Sequence, residues 1–81
     1  MIISSVANGA TRLTPRESEI LELVATGRSA RQIAAAVGLA ARTVERYIEN
    51  IRYKMGARNR THLVALAIAR GDLEVRSVGN G

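Results

Sequence analysis

Apolar residues in this chain recur at helical intervals. Between Ala41 and Met55, the residues Val44, Ile48, Ile51 and Met55 are separated by four, three and four positions. At about 100° per residue that gathers all four into one narrow stripe. Arg42, Glu45, Arg46, Glu49 and Tyr53 fall on the opposite side, with Thr43 and Lys54 along one flank. The pattern predicts a helix that turns its stripe to a core and leaves a charged face outside. Ile20, Leu21 and Val24 share a face in an earlier segment, and Ile33, Ala34 and Val37 do so in another.

Polar punctuation separates these segments. Thr14, Pro15 and Glu17 stand as cap, first helical residue and capping-box partner, and Gly27 follows the apolar positions as terminator. Ser29 and Gln32 repeat the capping box, and Gly38 ends that short helix. Ala34, Ala35 and Ala36 carry little side chain, so a neighbouring helix is expected to approach closely there. Gly56 closes the striped helix. Asn59 caps a fourth, which runs to Gly71.

The fourth helix breaks the pattern, because Leu63 to Ala69 is an unbroken apolar run. Leu63, Val64, Ala67 and Ile68 are expected on one arc and Ala65, Leu66 and Ala69 on the other, so two faces need covering. Residues 1–12 and 74–81 lack sustained periodicity and read as tails or the stub of a linker. With no alternating β-branched or aromatic segment, strand content near nil is expected. The fold class is all-α: one four-helix domain over residues 13–73.

Composition narrows the function. The 81 residues suffice for one small core, and with two Tyr and no Trp or Phe that core must be aliphatic. There is no cysteine, which removes disulfides, thiolate zinc sites and thiol nucleophiles. One histidine and the lack of a glycine-rich phosphate loop argue against catalysis, so no enzyme activity, cofactor or metal is expected. No apolar run reaches the roughly 20 residues of a membrane span, and the first residues lack the form of a signal peptide, so a cytoplasmic protein without a membrane partner is the expectation. A net charge of +5 favours a polyanionic partner.

A short helix, a turn around Gly38 and Leu39, and a longer helix with a charged outer face match a helix-turn-helix unit. In that unit the second helix enters the major groove while the first crosses the backbone. Arg42, Glu45, Arg46 and Glu49 are then placed to touch bases.

The stretch from Leu13 to Leu73 resembles the LuxR type (also called GerE type) of bacterial helix-turn-helix domain. Leu13, Thr14, Arg16, Glu17, Leu21, Gly27, Ser29, Ile33, Ala34, Thr43, Val44, Asn50, Ile51, Lys54, Arg60 and Gly71 carry the likeness, in order and at the family's spacings. The resemblance implies a bacterial transcriptional regulator, or its effector domain, that binds double-stranded DNA as a homodimer, reads the groove with the third helix and pairs through the fourth. It makes RNA polymerase a further candidate partner. Relatives carry a phosphorylation receiver or ligand-binding domain upstream, so the chain reads as a free-standing regulator or a fragment of a larger one.

On this reading Arg42, Val44, Glu45, Arg46 and Glu49 are the candidate base contacts, and Arg46 is the strongest because a guanidinium can bond two guanine acceptors at once. Thr43, Tyr47, Lys54, Arg58 and Arg60 are the candidate phosphate contacts. For Lys54 and Arg60 the alternative is an ion pair within the domain, with Glu17 as the natural partner. His62, Ala65, Leu66 and Ala69 are the candidate dimer contacts, since a surplus apolar patch marks an interaction surface.

The chain departs from the family at Ala40, where a capping serine is usual, at Glu45, where lysine is usual, and at Tyr47, where histidine is usual. Each glutamate of the reading helix either accepts from a cytosine amino group or pairs with an arginine three residues away, out of Arg42, Arg46 and Arg52. Two rival readings share the scaffold. A promoter-contacting sigma-factor domain would end near the reading helix, and a protein-interaction module would lack salt-dependent DNA affinity.

Overall fold

The structure, a computed structural model, describes residues 2–5 and 13–76, and the backbone alone of Ile2, Ser4, Ser5 and Arg76. Three of the four helices among these residues begin where a side chain satisfies an exposed N–H group of the first turn. Thr14 accepts from the Glu17 N–H, and the Glu17 carboxylate takes the Thr14 N–H in return, opening α1 (Pro15–Ala25). Ser29 and Gln32 make the same reciprocal pair at the start of α2 (Ala30–Val37). Asn59 caps α4 (Arg60–Ala69) by accepting from the His62 N–H. Gly38 and Gly56 take left-handed backbone with φ of 72° and 69°, which ends α2 and α3 (Ala41–Met55) at no steric cost.

The core is aliphatic. Ile20, Leu21 and Val24 of α1, Ile33 and Ala34 of α2, Val44, Ile48, Ile51 and Met55 of α3, and Leu63 and Ala67 of α4 are all buried. The stripe of α3 therefore faces inward as expected, and α3 packs against each of the other three helices. Of the three consecutive alanines in α2, Ala34 alone is buried; Ala35 and Ala36 face solvent, so close approach of helices is confined to one position.

Two expectations are corrected. Residues 2–5 and 73–76 form an antiparallel two-stranded sheet, β1 (Ile2–Ser5) with β2 (Leu73–Arg76), in the register Ile3 opposite Val75 and Ser5 opposite Leu73. Parts of both supposed tails thus join the domain, anchored by the buried Leu73 and by Ile3 packing on the core. The rest of those tails, residues 6–12 and 77–81, lies outside the described residues. On α4, Ile68 is 42% exposed although it was assigned to the inner arc, while Leu66 is half-buried against the core. The β2 segment follows α4 after three residues and packs against it.

One long-range ion pair fastens α3 to α1. Lys54 Nζ lies 2.7 Å from Glu17 Oε1, and the Glu17 side chain is only 7% exposed. Burial pushes this carboxyl up, but hydrogen bonds from Lys54 and from the Thr14 N–H, with the ammonium charge, outweigh it and hold the group below its ordinary 4.5. At the same end of α3, Arg52 donates to the Ala57 carbonyl at 2.9 Å and Arg70 donates to the Met55 carbonyl at 2.9 Å. The bond to Met55 occupies a carbonyl that a helix C-terminus leaves open, and the bond to Ala57 holds the turn that follows.

The N-terminal end of α3 differs. Ala40 has the extended cap backbone (φ −76°, ψ 148°) found at Thr14 and Ser29, yet no side chain caps the helix. Ala40→Ser should add a cap without moving the chain, stabilising the domain by about 1 kcal/mol and raising Tm by roughly 4–8 °C; an unchanged Tm in a thermal melt would contradict this.

The depressed Glu17 carboxyl contributes stability that is present above its ordinary value of 4.5 and is lost as the pH falls through the lower folded value. Denaturant unfolding of the wild type should therefore show an acid-side loss that is reduced in Glu17→Gln. Removal of the partner in Lys54→Ala should cost roughly 1–3 kcal/mol at neutral pH, because the carboxylate stays largely buried. Equal acid sensitivity of the wild type and Glu17→Gln would show that other groups govern the transition.

Candidate nucleic-acid interface

The surface that α3 offers follows from the stripe it buries. With Val44, Ile48 and Ile51 turned inward, the residues on the opposite side must project away from the domain. Arg42, Glu45, Arg46, Glu49 and Asn50 are exposed there and line a shallow concavity of about 320 Å³. The turn Gly38–Ala40 joins α2 to α3, with the Gly38 and Leu39 N–H groups both bonded to the Ala34 carbonyl at 2.9 and 3.1 Å. Leu39 packs against the core and ties the turn down.

The charges on this face divide into two sets. Glu49 is committed: Oε2 accepts from Arg52 Nε at 3.0 Å and Oε1 from Arg52 Nη2 at 2.9 Å. The paired guanidinium lowers the Glu49 carboxyl, and Glu49 raises the Arg52 guanidinium in turn. Lys54 is committed to Glu17. Arg42, Glu45 and Arg46 carry no ion pair or side-chain hydrogen bond among the described residues. Of the two glutamates, Glu49 has thus taken the three-residue pairing and Glu45 has not.

Other candidate residues are placed as follows. Val44 is wholly buried at 0% exposure, so the expected base contact by this residue is not available. Thr43 is half-buried beside the charged outer face, and Tyr47 is half-buried and packs on the core. Arg58 and Arg60 are exposed just beyond the C-terminus of α3, and Arg60 Nη2 makes a 3.2 Å bond to the Arg28 carbonyl. Tyr53, 85% exposed, extends the outer stripe towards that end.

On α4, Ala65 and Ala69 are exposed, whereas His62 is half-buried and accepts the Arg58 N–H on Nδ1 at 2.9 Å. His62 and Leu66 are therefore partly engaged inside the domain, and Ile68 takes the outward place beside Ala65. Sequence periodicity missed Ile68, Ala57, which is buried in the α3–α4 turn, and the arginines that close the end of α3. A polar contact to a carbonyl leaves no period in a sequence, so no signal could have supplied the last two.

A family model described as bacterial regulatory proteins, luxR family, matches residues 11–67. The chain is 47% identical over 58 residues to the transcriptional activator protein BjaR1 of Bradyrhizobium diazoefficiens, covering 72% of this chain and 24% of that one. Among solved structures it resembles the Vibrio cholerae VqmA dimer in the absence of target DNA, with a TM-score of 0.73 and 39% identity over 82% of this chain and 30% of that one. It also resembles the VqmA–ligand–DNA complex from the same species, with a TM-score of 0.72 and 38% identity over 84% of this chain and 30% of the other. The chain thus spans less than a third of the length of these proteins.

Proposed function

The chain belongs to the luxR family of bacterial regulatory proteins, and from that premise we propose that it binds double-stranded DNA sequence-specifically and regulates transcription, alone or as the effector portion of a larger regulator. It lays α3 in the major groove and acts as a homodimer through α4. The observation that carries the reading is the uncommitted set Arg42, Glu45 and Arg46 on the outer face of a helix whose other charges are paired. Side chains left without internal partners on one exposed face are available to base edges. The likeness to a VqmA–ligand–DNA complex supports the same assignment.

Roles divide by position. Arg42 and Arg46 read bases, and Thr43, the Tyr47 hydroxyl, Arg58 and Arg60 meet phosphates on either side of the groove. Lys54 uses one of three N–H donors on Glu17 and keeps others for a phosphate, so it braces α3 and contacts the backbone together. Glu49 stays with Arg52.

The dimer face combines Ala65, Ala69 and Ile68, with His62 and Leu66 at its margin, and the VqmA dimer is the precedent. A two-fold pair would match two half-sites one helical turn apart. A regulator of transcription must also engage or obstruct polymerase, which makes RNA polymerase the further partner of this reading.

Selection from a random duplex library should enrich a two-fold symmetric site with a steep salt dependence. Arg46→Ala should cost about 1–3 kcal/mol at that site and relax preference at one position. Arg60→Ala should weaken all sequences alike and reduce the salt slope by about one unit. Equal loss of discrimination in both variants would refute this division.

For the dimer, Ile68→Glu is the suitable variant, because Ile68 is exposed whereas Leu66 supports the core. It should remain folded and sediment as a monomer, and an unchanged dimer mass would refute the α4 interface.

A further inference from the structure

A carboxylate on a helix that meets a polyanion is repelled by every nearby phosphate unless something offsets its charge. Glu49 has that offset in the two bonds from Arg52. Glu45 has none among the described residues, although Arg42 is three positions before it and Arg46 directly after. It also sits in the N-terminal part of α3, the part that comes against base edges when such a helix enters the groove.

Base-pair chemistry decides what such a carboxylate can accept. Guanine and thymine present only acceptors along the major groove, and adenine presents an amino donor beside the N7 acceptor. Cytosine presents its N4 amino donor without that neighbour. A carboxylate meets only repulsion at guanine and thymine, a donor offset by the adjacent N7 at adenine, and an amino donor without that neighbour at cytosine.

Arg42 and Arg46 have the complementary preference for guanine O6 and N7. They lie about 6 Å apart along the helix axis, against about 6.8 Å for two base-pair steps of DNA. Side chains at 42, 45 and 46 can therefore address neighbouring base pairs.

We infer that Glu45 is the specificity-determining acceptor for one cytosine in a half-site whose neighbouring contacts, made by Arg42 and Arg46, are guanines. The ligand class is accordingly a half-site with adjacent G·C pairs under the first two turns of α3. This rests on the reading of α3 as the major-groove helix. Glu49, neutralised by Arg52, does not select a base.

The test uses the complete 81-residue chain and the site it enriches from a random duplex library. In that site each cytosine is replaced in turn by the analogue that carries hydrogen in place of the N4 amino group. At one position the wild type should lose roughly 5- to 100-fold in affinity, and Glu45→Ala should bind the natural and altered duplexes equally. Glu45→Lys should re-select guanine at that position, and Glu49→Ala should keep the wild-type preference. Melting curves of the exposed-residue variants confirm that each is folded.

Analogue sensitivity that persists in Glu45→Ala, or that disappears in Glu49→Ala instead, would overturn the inference and leave DNA binding standing. A uniform gain in affinity for all sequences in Glu45→Ala, with preference unchanged, would overturn it too, because the glutamate would then only lower non-specific attraction. Failure of the wild type to enrich any site would remove the proposed function itself, and the inference with it.

Discussion

Everything that α3 presents depends on the burial of four side chains. Val44, Ile48, Ile51 and Met55 fill one side of the helix and leave it a single rotational setting. A turn of one residue position about the axis would expose part of this stripe and drive arginines into the core. Each such aliphatic side chain contributes about 1.5–3 kcal/mol by burial, and a buried unpaired guanidinium costs several more. The outer face is therefore fixed by packing, with no requirement on the outer residues themselves. They are free to vary without disturbing the fold.

Rotation is one freedom and translation along the axis is another. The C-terminal end of α3 is held by polar bonds reaching from three directions: Lys54 to Glu17 of α1, Arg52 to the turn at Ala57, and Arg70 back to Met55. The N-terminal end has the close turn at Gly38 but no side-chain cap at Ala40. The helix is thus fastened more firmly at the end remote from the bases it is proposed to read. The first turn, with Arg42, is the portion with fewest fixed bonds, and local opening concentrates where bonds are few.

How much of this was legible in the sequence follows from the range of each interaction. Caps, capping boxes and glycine terminators span three or four residues, so Thr14, Ser29, Asn59, Gly38 and Gly56 announced the helix ends. The stripe of α3 was equally plain, because its period is internal to one element. What escaped was non-local. The pairing of β1 with β2 joins residues some 70 positions apart through segments too short to show alternation. Leu66 packs on the core and Ile68 is exposed, an arrangement that periodicity alone could not settle in an unbroken apolar run. Val44 was counted both in the core and at the bases; the same 0% exposure that bears out the first excludes the second. Three-residue spacing offered Glu45 one arginine, Arg42, and Glu49 two, Arg46 and Arg52, and it is Glu49 that pairs, with Arg52.

The pairing of charges has a further consequence for how affinity and selectivity divide. Across Ala41–Met55 the sequence holds four cations and two anions, Arg42, Arg46, Arg52 and Lys54 against Glu45 and Glu49. Arg52 is balanced by Glu49 and Lys54 by Glu17, so the uncommitted remainder is two arginines and one glutamate. That remainder is a weak source of general attraction to phosphate, and a helix so arranged gains little on arbitrary DNA. In the proposed complex the general attraction comes from flanking cations such as Arg58 and Arg60, which are exposed beyond the end of α3. On the proposed reading, phosphate contacts on the flanks position the domain and the nearly balanced centre discriminates, because each of its charges would find a partner only on the right base.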